Sequence, residues 1–175
     1  PKLKKNLVLI GMMGVGKSTI GRLLSKKLGM PFEDLDERIE IKESLNIKQI
    51  FDIKGEQYFR KLEENEGLNL VEEKGKIIAF GGGTFINQKI REKTKKTCFS
   101  VWLDLSPEKV FRRVKKNKGR PLLTNAKSIK DVENIYLDRK KIYALADFRL
   151  DCDSESTEKI VEKIINIYEN IDSKI

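Results

Sequence analysis

Histidine is absent from the 175 residues. That removes a Ser-His-Asp triad, a histidine general base and any histidine-ligated metal. Proton transfer must then use carboxylates, lysine or water. Cysteine is scarce: Cys98 and Cys152 stand far apart without CxxC spacing. Neither a disulfide framework nor a zinc site is expected, and both thiols should be buried and reduced. Long apolar runs are missing as well. Stretches such as Leu7 to Ile10 fall far short of the ~20 residues a membrane-spanning helix needs. The basic start, Pro1 to Lys5, is followed by an apolar run too short for the core of a signal peptide, so a cytoplasmic location is expected. Repeats, linkers and low-complexity segments are also lacking. The formal net charge is +9, but the basic stretches Arg91 to Lys96 and Arg112 to Arg120 carry no interleaved aromatics that would stack on bases. A solvated, lysine-rich surface is expected, with neither nucleic acid nor membrane as a partner. A chain of this length suits a single compact domain, residues 1–175.

What is present begins with Gly11-Met12-Met13-Gly14-Val15-Gly16-Lys17-Ser18, which satisfies G-x-x-x-x-G-K-[ST]. This loop holds a nucleoside triphosphate and its Mg²⁺ with backbone N–H groups, a lysine and a hydroxyl. The motif requires a strand before it and a helix after it. Leu7 to Ile10 supply the first, and Ile20, Leu23, Leu24 and Leu28 recur at helical spacing for the second, with Gly29 and Pro31 as the stop. Gly14, Val15, Gly16, Lys17, Ser18 and Thr19 are therefore the expected ATP contacts. Lys17 can follow the β- and γ-phosphates, and Ser18 offers a hard oxygen to Mg²⁺.

Short apolar runs alternate with helical stretches along the rest of the chain, the pattern of a parallel sheet with helices on its faces. Strands are expected near Phe32 to Asp36, Ile77 to Phe80, Phe99 to Leu103 and Phe148 to Cys152. Ile50, Phe51 and Ile53 are expected to pack before a break at Gly55. Residues 117–125 lack periodicity, carry Gly119 and Pro121, and are expected to form a mobile lid. Ligands of open α/β sheets bind beyond the carboxyl ends of the strands. Asp34 and Asp36, Gly81 to Gly83 and the phosphate loop should therefore converge there. Asp34 and Asp36 are expected on one strand face, one ordering Mg²⁺ and the other accepting a proton from an attacking hydroxyl. Three glycines after a buried strand let backbone N–H groups approach a ligand. Arg60, Arg120 and Arg139, taken singly, read as solvated surface arginines.

The segments GMMGVGKSTIGRLLSKKLG, FEDLDERIE, IFDIKGEQYFRKLEE, AFGGGTF, GRPLL and LDRKKIY follow the order seen in shikimate kinases, and the resemblance spans nearly the whole chain. It implies a single-domain, three-layer P-loop fold with a five-stranded parallel sheet and a small lid. Its acceptor region would be helical, near residues 37–62. It implies ATP and Mg²⁺ as cofactors, shikimate as acceptor, phosphorylation of its 3-hydroxyl, and a monomer. By motif, Asp36 would bind acceptor hydroxyls and serve as base, and Asp34 would hold Mg²⁺ with Ser18. Arg60 and Arg139 would grip the shikimate carboxylate, a planar group suited to guanidinium forks. Gly82, flanked by Gly81 and Gly83, would donate from its backbone to the same substrate. Arg120 would reach the transferring phosphoryl group, and Arg113 would stack near adenine. Lys17, Asp36 and Arg120 would be the catalytic set. Two departures stand out: Lys54 replaces the acidic residue frequent before GEQ, and Asp151-Cys152-Asp153-Ser154 lacks the arginine some members place near adenine. Other readings remain open, namely a P-loop kinase for gluconate or for a nucleotide, or an ATP-dependent nucleic-acid-binding module.

Overall fold

Five strands lie in the order β2-β3-β1-β4-β5, every neighbouring pair parallel. They are β1 (Asn6–Ile10), β2 (Phe32–Asp34), β3 (Ile77–Ala79), β4 (Cys98–Asp104) and β5 (Phe148–Asp151). This computed structural model describes residues 4–116 and 128–172, and the expected lid at 117–125, with Arg120 in it, lies outside the described residues. The three inner strands are buried along their whole length, which is why they read as continuous apolar runs and not as alternation. The edge strands, Phe-Glu-Asp and Phe-Arg-Leu-Asp, are short and charged, as unpaired edges require. In register, Leu7 sits between Ile77 and Phe99, and Leu9 between Ala79 and Val101.

Among the described residues eight α-helices surround the sheet: α1 (Lys17–Leu28), α2 (Leu35–Glu43), α3 (Ile47–Lys54), α4 (Glu56–Glu72), α5 (Gln88–Thr97), α6 (Pro107–Lys116), α7 (Ile129–Tyr143) and α8 (Thr157–Asp172). Parallel crossovers are right-handed. The step from β1 out to β2 and the steps back across the sheet therefore put α1 and α5 on opposite faces. The observed packing agrees: α1 packs with α8, and α5 packs with α4. No described helix is long and apolar enough to cross a membrane.

Local chemistry sets the helix ends that matter for the site. Gly16 precedes α1 with φ of 100° and Gly29 ends it with φ of 64°, both left-handed values that glycine adopts without strain. The side chain of Asp34 caps α2, accepting from the N–H groups of Asp36 at 2.9 Å and Glu37 at 3.2 Å. This corrects the expectation that Asp34 and Asp36 share a strand face. The strand stops at Asp34 and Asp36 lies in the first turn of α2, because a capping aspartate ends extended pairing and starts a helix. Ile53 also departs from expectation: it is 67% exposed, while Ile50 alone of that trio is fully buried.

Polar groups inside the fold are satisfied locally. Ser100 on β4 receives Asp147, whose carboxylate accepts from both its N–H and its hydroxyl. Arg38 of α2 reaches Glu33, Glu66 and Glu73 at 2.9 to 3.1 Å, tying α2 to β2 and α4. Among the described residues no buried side-chain nitrogen or oxygen lacks a partner. Cys98 and Cys152 are both free and buried, as expected.

Candidate active site

A cavity of about 590 Å³ opens beyond the carboxyl ends of the strands, where the chain turns from β1 toward both sheet halves. Its size suits a small ring acid beside a triphosphate. Gly14, Gly16, Lys17, Ser18 and Thr19 line one end, with Arg113 and Lys116 of α6 above them. Asp36, Arg60, Glu63 and Gly81 to Gly83 line the other, with Asp34 between them and Ser18.

The phosphate loop is built by close backbone approach. A Cβ on Gly11 would stand 2.7 Å from the Leu103 carbonyl oxygen, so no side chain is possible where the loop crosses the end of β4. Lys17 is buried and donates to the carbonyls of Gly11 at 2.6 Å and Met12 at 2.9 Å. These bonds keep a desolvated ammonium satisfied inside the loop. Ser18 donates from its hydroxyl to Asp34 at 2.7 Å. A hydroxyl and a carboxylate oxygen side by side at the phosphate loop are hard donors of the type Mg²⁺ takes, so this pair fits the metal the resemblance implies. The Val15 side chain is buried in the core, and its carbonyl accepts from Arg113 at 3.0 Å. Arg113 thus bridges α6 to the phosphate loop.

At the other end, three consecutive glycines each back onto one charged side chain. A Cβ on Gly81 would stand 2.7 Å from the Asp36 carboxylate, one on Gly82 2.9 Å from Arg139 Nη1, and one on Gly83 2.8 Å from Arg60 Nη1. Sequence reasoning supposed the glycines were there for a ligand's approach. The structure adds that they make room for Asp36, Arg139 and Arg60. Consecutive Cα atoms are 3.8 Å apart, so side chains from α2, α7 and α4 are drawn onto one short stretch of backbone.

Several partners of these groups escaped sequence reasoning. Glu63 is 2% exposed. It accepts from Arg60 Nη1 at 2.9 Å and from the Thr84 hydroxyl at 2.9 Å, which aims Arg60 across the glycines. Its signal was the i,i+3 spacing from Arg60 on a helix. Tyr143 is wholly buried and donates its hydroxyl to the Gly82 carbonyl. Its signal was the i,i+4 spacing from Arg139. The two departures lie elsewhere. Lys54 pairs with Glu43 at 2.7 Å on the outer side of α3, and Asp153 accepts from the Ser106 N–H at 2.7 Å.

The electrostatics favour proton exchange at one carboxyl. Burial pushes Asp36 up from 3.8 to about 7, the charges of Asp34, Glu63 and Glu40 add to the rise, and Lys17 opposes it. A carboxyl that changes protonation near neutrality suits a general base.

Fold and site together define a P-loop kinase acting on a small acceptor. A gluconokinase from Sinorhizobium meliloti shares this fold alone, at 13% identity and a TM-score of 0.59 over 99% of this chain and 97% of that one. The sequence profile of the shikimate kinase family matches residues 13–169, and the chain belongs to that family. A shikimate kinase from a Sulfurihydrogenibium species is 41% identical over 92% of this chain and 96% of its own length. The structure of shikimate kinase from Acinetobacter baumannii in complex with shikimate superposes with a TM-score of 0.90 at 30% identity, covering 95% of this chain and 94% of that one.

Proposed function

We propose that the chain phosphorylates the 3-hydroxyl of shikimate at the expense of ATP, with the work divided among residues that line the cavity, Arg139 behind Gly82, and Arg120 outside the described residues. The 3-hydroxyl oxygen attacks the γ-phosphorus, the bond to the β,γ-bridging oxygen breaks, and ADP departs with that electron pair. The hydroxyl proton passes to Asp36. Ser18 and Asp34 would hold Mg²⁺, which would supply charge neutralisation at the nucleotide. Lys17 exchanges its loop carbonyls for phosphate oxygens, and Arg120 answers the charge that develops on the transferred group. Arg113 supports the nucleotide end.

Arg60 and Arg139 hold the acid's carboxylate, with the Gly82 backbone beside them. Fixing the distant carboxylate orients the reacting hydroxyl toward the γ-phosphate, and positioning of this type supplies much of the rate in phosphoryl transfer. A kinase open to water would hydrolyse ATP, so the reaction calls for a site that excludes water from the donor. A monomer in the cytoplasm is part of the same proposal.

The observation that carries this reading is the run Gly81 to Gly83, which abuts a carboxylate and two guanidiniums in succession. It builds one face able to hold a hydroxyl and a carboxylate of the same small molecule. The test is ADP release with shikimate, gluconate and nucleoside monophosphates as acceptors. Release dependent on shikimate alone is expected, and Arg60→Ala and Arg139→Ala should raise its KM. Release driven by gluconate or a nucleotide instead, or an unchanged KM in both variants, would overturn the reading.

A further inference from the structure

Tyr143 has no part in the scheme above, yet it is 0% exposed and sits at a junction of three elements. Its ring packs on Trp102 of β4, with centroids 5.9 Å apart. Its hydroxyl donates to the carbonyl of Gly82, in the loop after β3. One turn earlier on the same helix, Arg139 lies against both the phenol and the Gly82 backbone. Burial raises the Tyr143 pKa, while the charge and hydrogen bond of Arg139 pull it down. The phenol oxygen therefore gives its proton to the loop, with the Arg139 guanidinium beside the same glycine.

We propose that Tyr143 is a positioning residue for carboxylate binding, its hydroxyl locking the Gly82–Gly83 peptide and the Arg139 side chain into one rigid unit. The inference rests on the reading of Arg139 as a carboxylate grip. In a trans peptide the carbonyl and the next N–H point in opposite directions. Drawing the Gly82 carbonyl to the buried phenol therefore turns the Gly83 N–H the other way. The same oxygen restrains a long side chain before the acid arrives, so less freedom is lost on binding.

Tyr143→Phe removes only the oxygen and keeps the ring on Trp102. The shikimate KM should rise about 5- to 20-fold, while kcat and the ATP KM change by less than about twofold, the signature of lost uniform binding. In an Arg139→Ala background the same change should raise the KM by a clearly smaller factor than in the parent, because part of its effect runs through Arg139. Should phenylalanine not give folded protein, 4-aminophenylalanine and 4-methylphenylalanine at position 143 provide the comparison. Their para groups are similar in size, only the first donates, and only the first should keep the low KM. An unchanged KM in Tyr143→Phe, a full KM rise that persists without Arg139, or equal KM values for the two analogues would overturn the inference. Failure of the functional reading is distinguishable, since the unaltered protein would then show no shikimate-dependent ADP release.

Discussion

Replacing Asp36 with asparagine should slow turnover sharply and, at the same time, stabilise the protein in mildly alkaline solution. The folded protein binds the Asp36 proton more tightly than the unfolded chain does, since burial and the neighbouring carboxylates lift its pKa from 3.8 to about 7. The stability this proton supplies is complete below 3.8 and is lost as pH climbs through about 7. Taken at face value, the shift corresponds to ~4 kcal/mol against folding once Asp36 is ionised, at 1.36 kcal/mol per unit. Solvent reaches part of this half-buried side chain, which reduces the figure to about 1–3 kcal/mol. Asparagine has nearly the same shape and never ionises. Its Tm should exceed that of the parent at pH 8 by roughly 2–10 °C for a domain of this size. The gain should grow between about pH 4 and 7 and then level off. Differential scanning calorimetry across that range reads it directly. In the kinetic counterpart, kcat/KM for shikimate should fall about tenfold per unit below pH 7 as Asp36 takes up its proton, and the asparagine variant should lose about 10²–10⁴ in rate. An asparagine variant no more stable than the parent at pH 8, or one whose gain is greatest at pH 4, would refute the electrostatic reasoning.

Three further outcomes can be checked with the same preparations. Gly83→Ala places a methyl group 2.8 Å from the far end of the Arg60 side chain; displacing that guanidinium should raise the shikimate KM about tenfold, measured by coupled ADP release, with a smaller effect on Tm. Ser18→Ala removes the hydroxyl bonded to Asp34 at 2.7 Å, and the Mg²⁺ concentration for half-maximal rate should rise about 10-fold or more, with Asp34 still capping α2 and the Tm little changed. Gly21→Ala would put its Cβ 2.2 Å from the Phe32 ring in the core, so denaturant titration should show a loss of about 1–3 kcal/mol while KM values in the folded fraction stay near those of the parent.

How far the site could be read in advance depended on the distance over which each feature is determined. Strand, glycine loop and helix start are neighbours in the chain, so backbone preference and apolar spacing suffice, and β1, the loop and α1 lie where the spacing put them. The same held for the buried run Ile77 to Phe80 and for the free, buried thiols. The candidate arginines were legible only through the order of motifs along the chain, since an isolated arginine on a helix looks like any solvated one.

By itself the sequence determined the class of fold, the nucleotide loop and the identity of the charged side chains, because these follow from local conformation and from chemistry each residue carries alone. Tertiary structure alone decided that Asp36 belongs to a helix's first turn, that burial lifts its pKa to about 7, that Glu63 pairs with Arg60 and Tyr143 with the Gly82 carbonyl, and that Gly81 to Gly83 leave room for Asp36, Arg139 and Arg60. Each of these depends on burial or on contact between segments far apart in sequence, and a side chain's dielectric surroundings and neighbours exist only once the chain has folded.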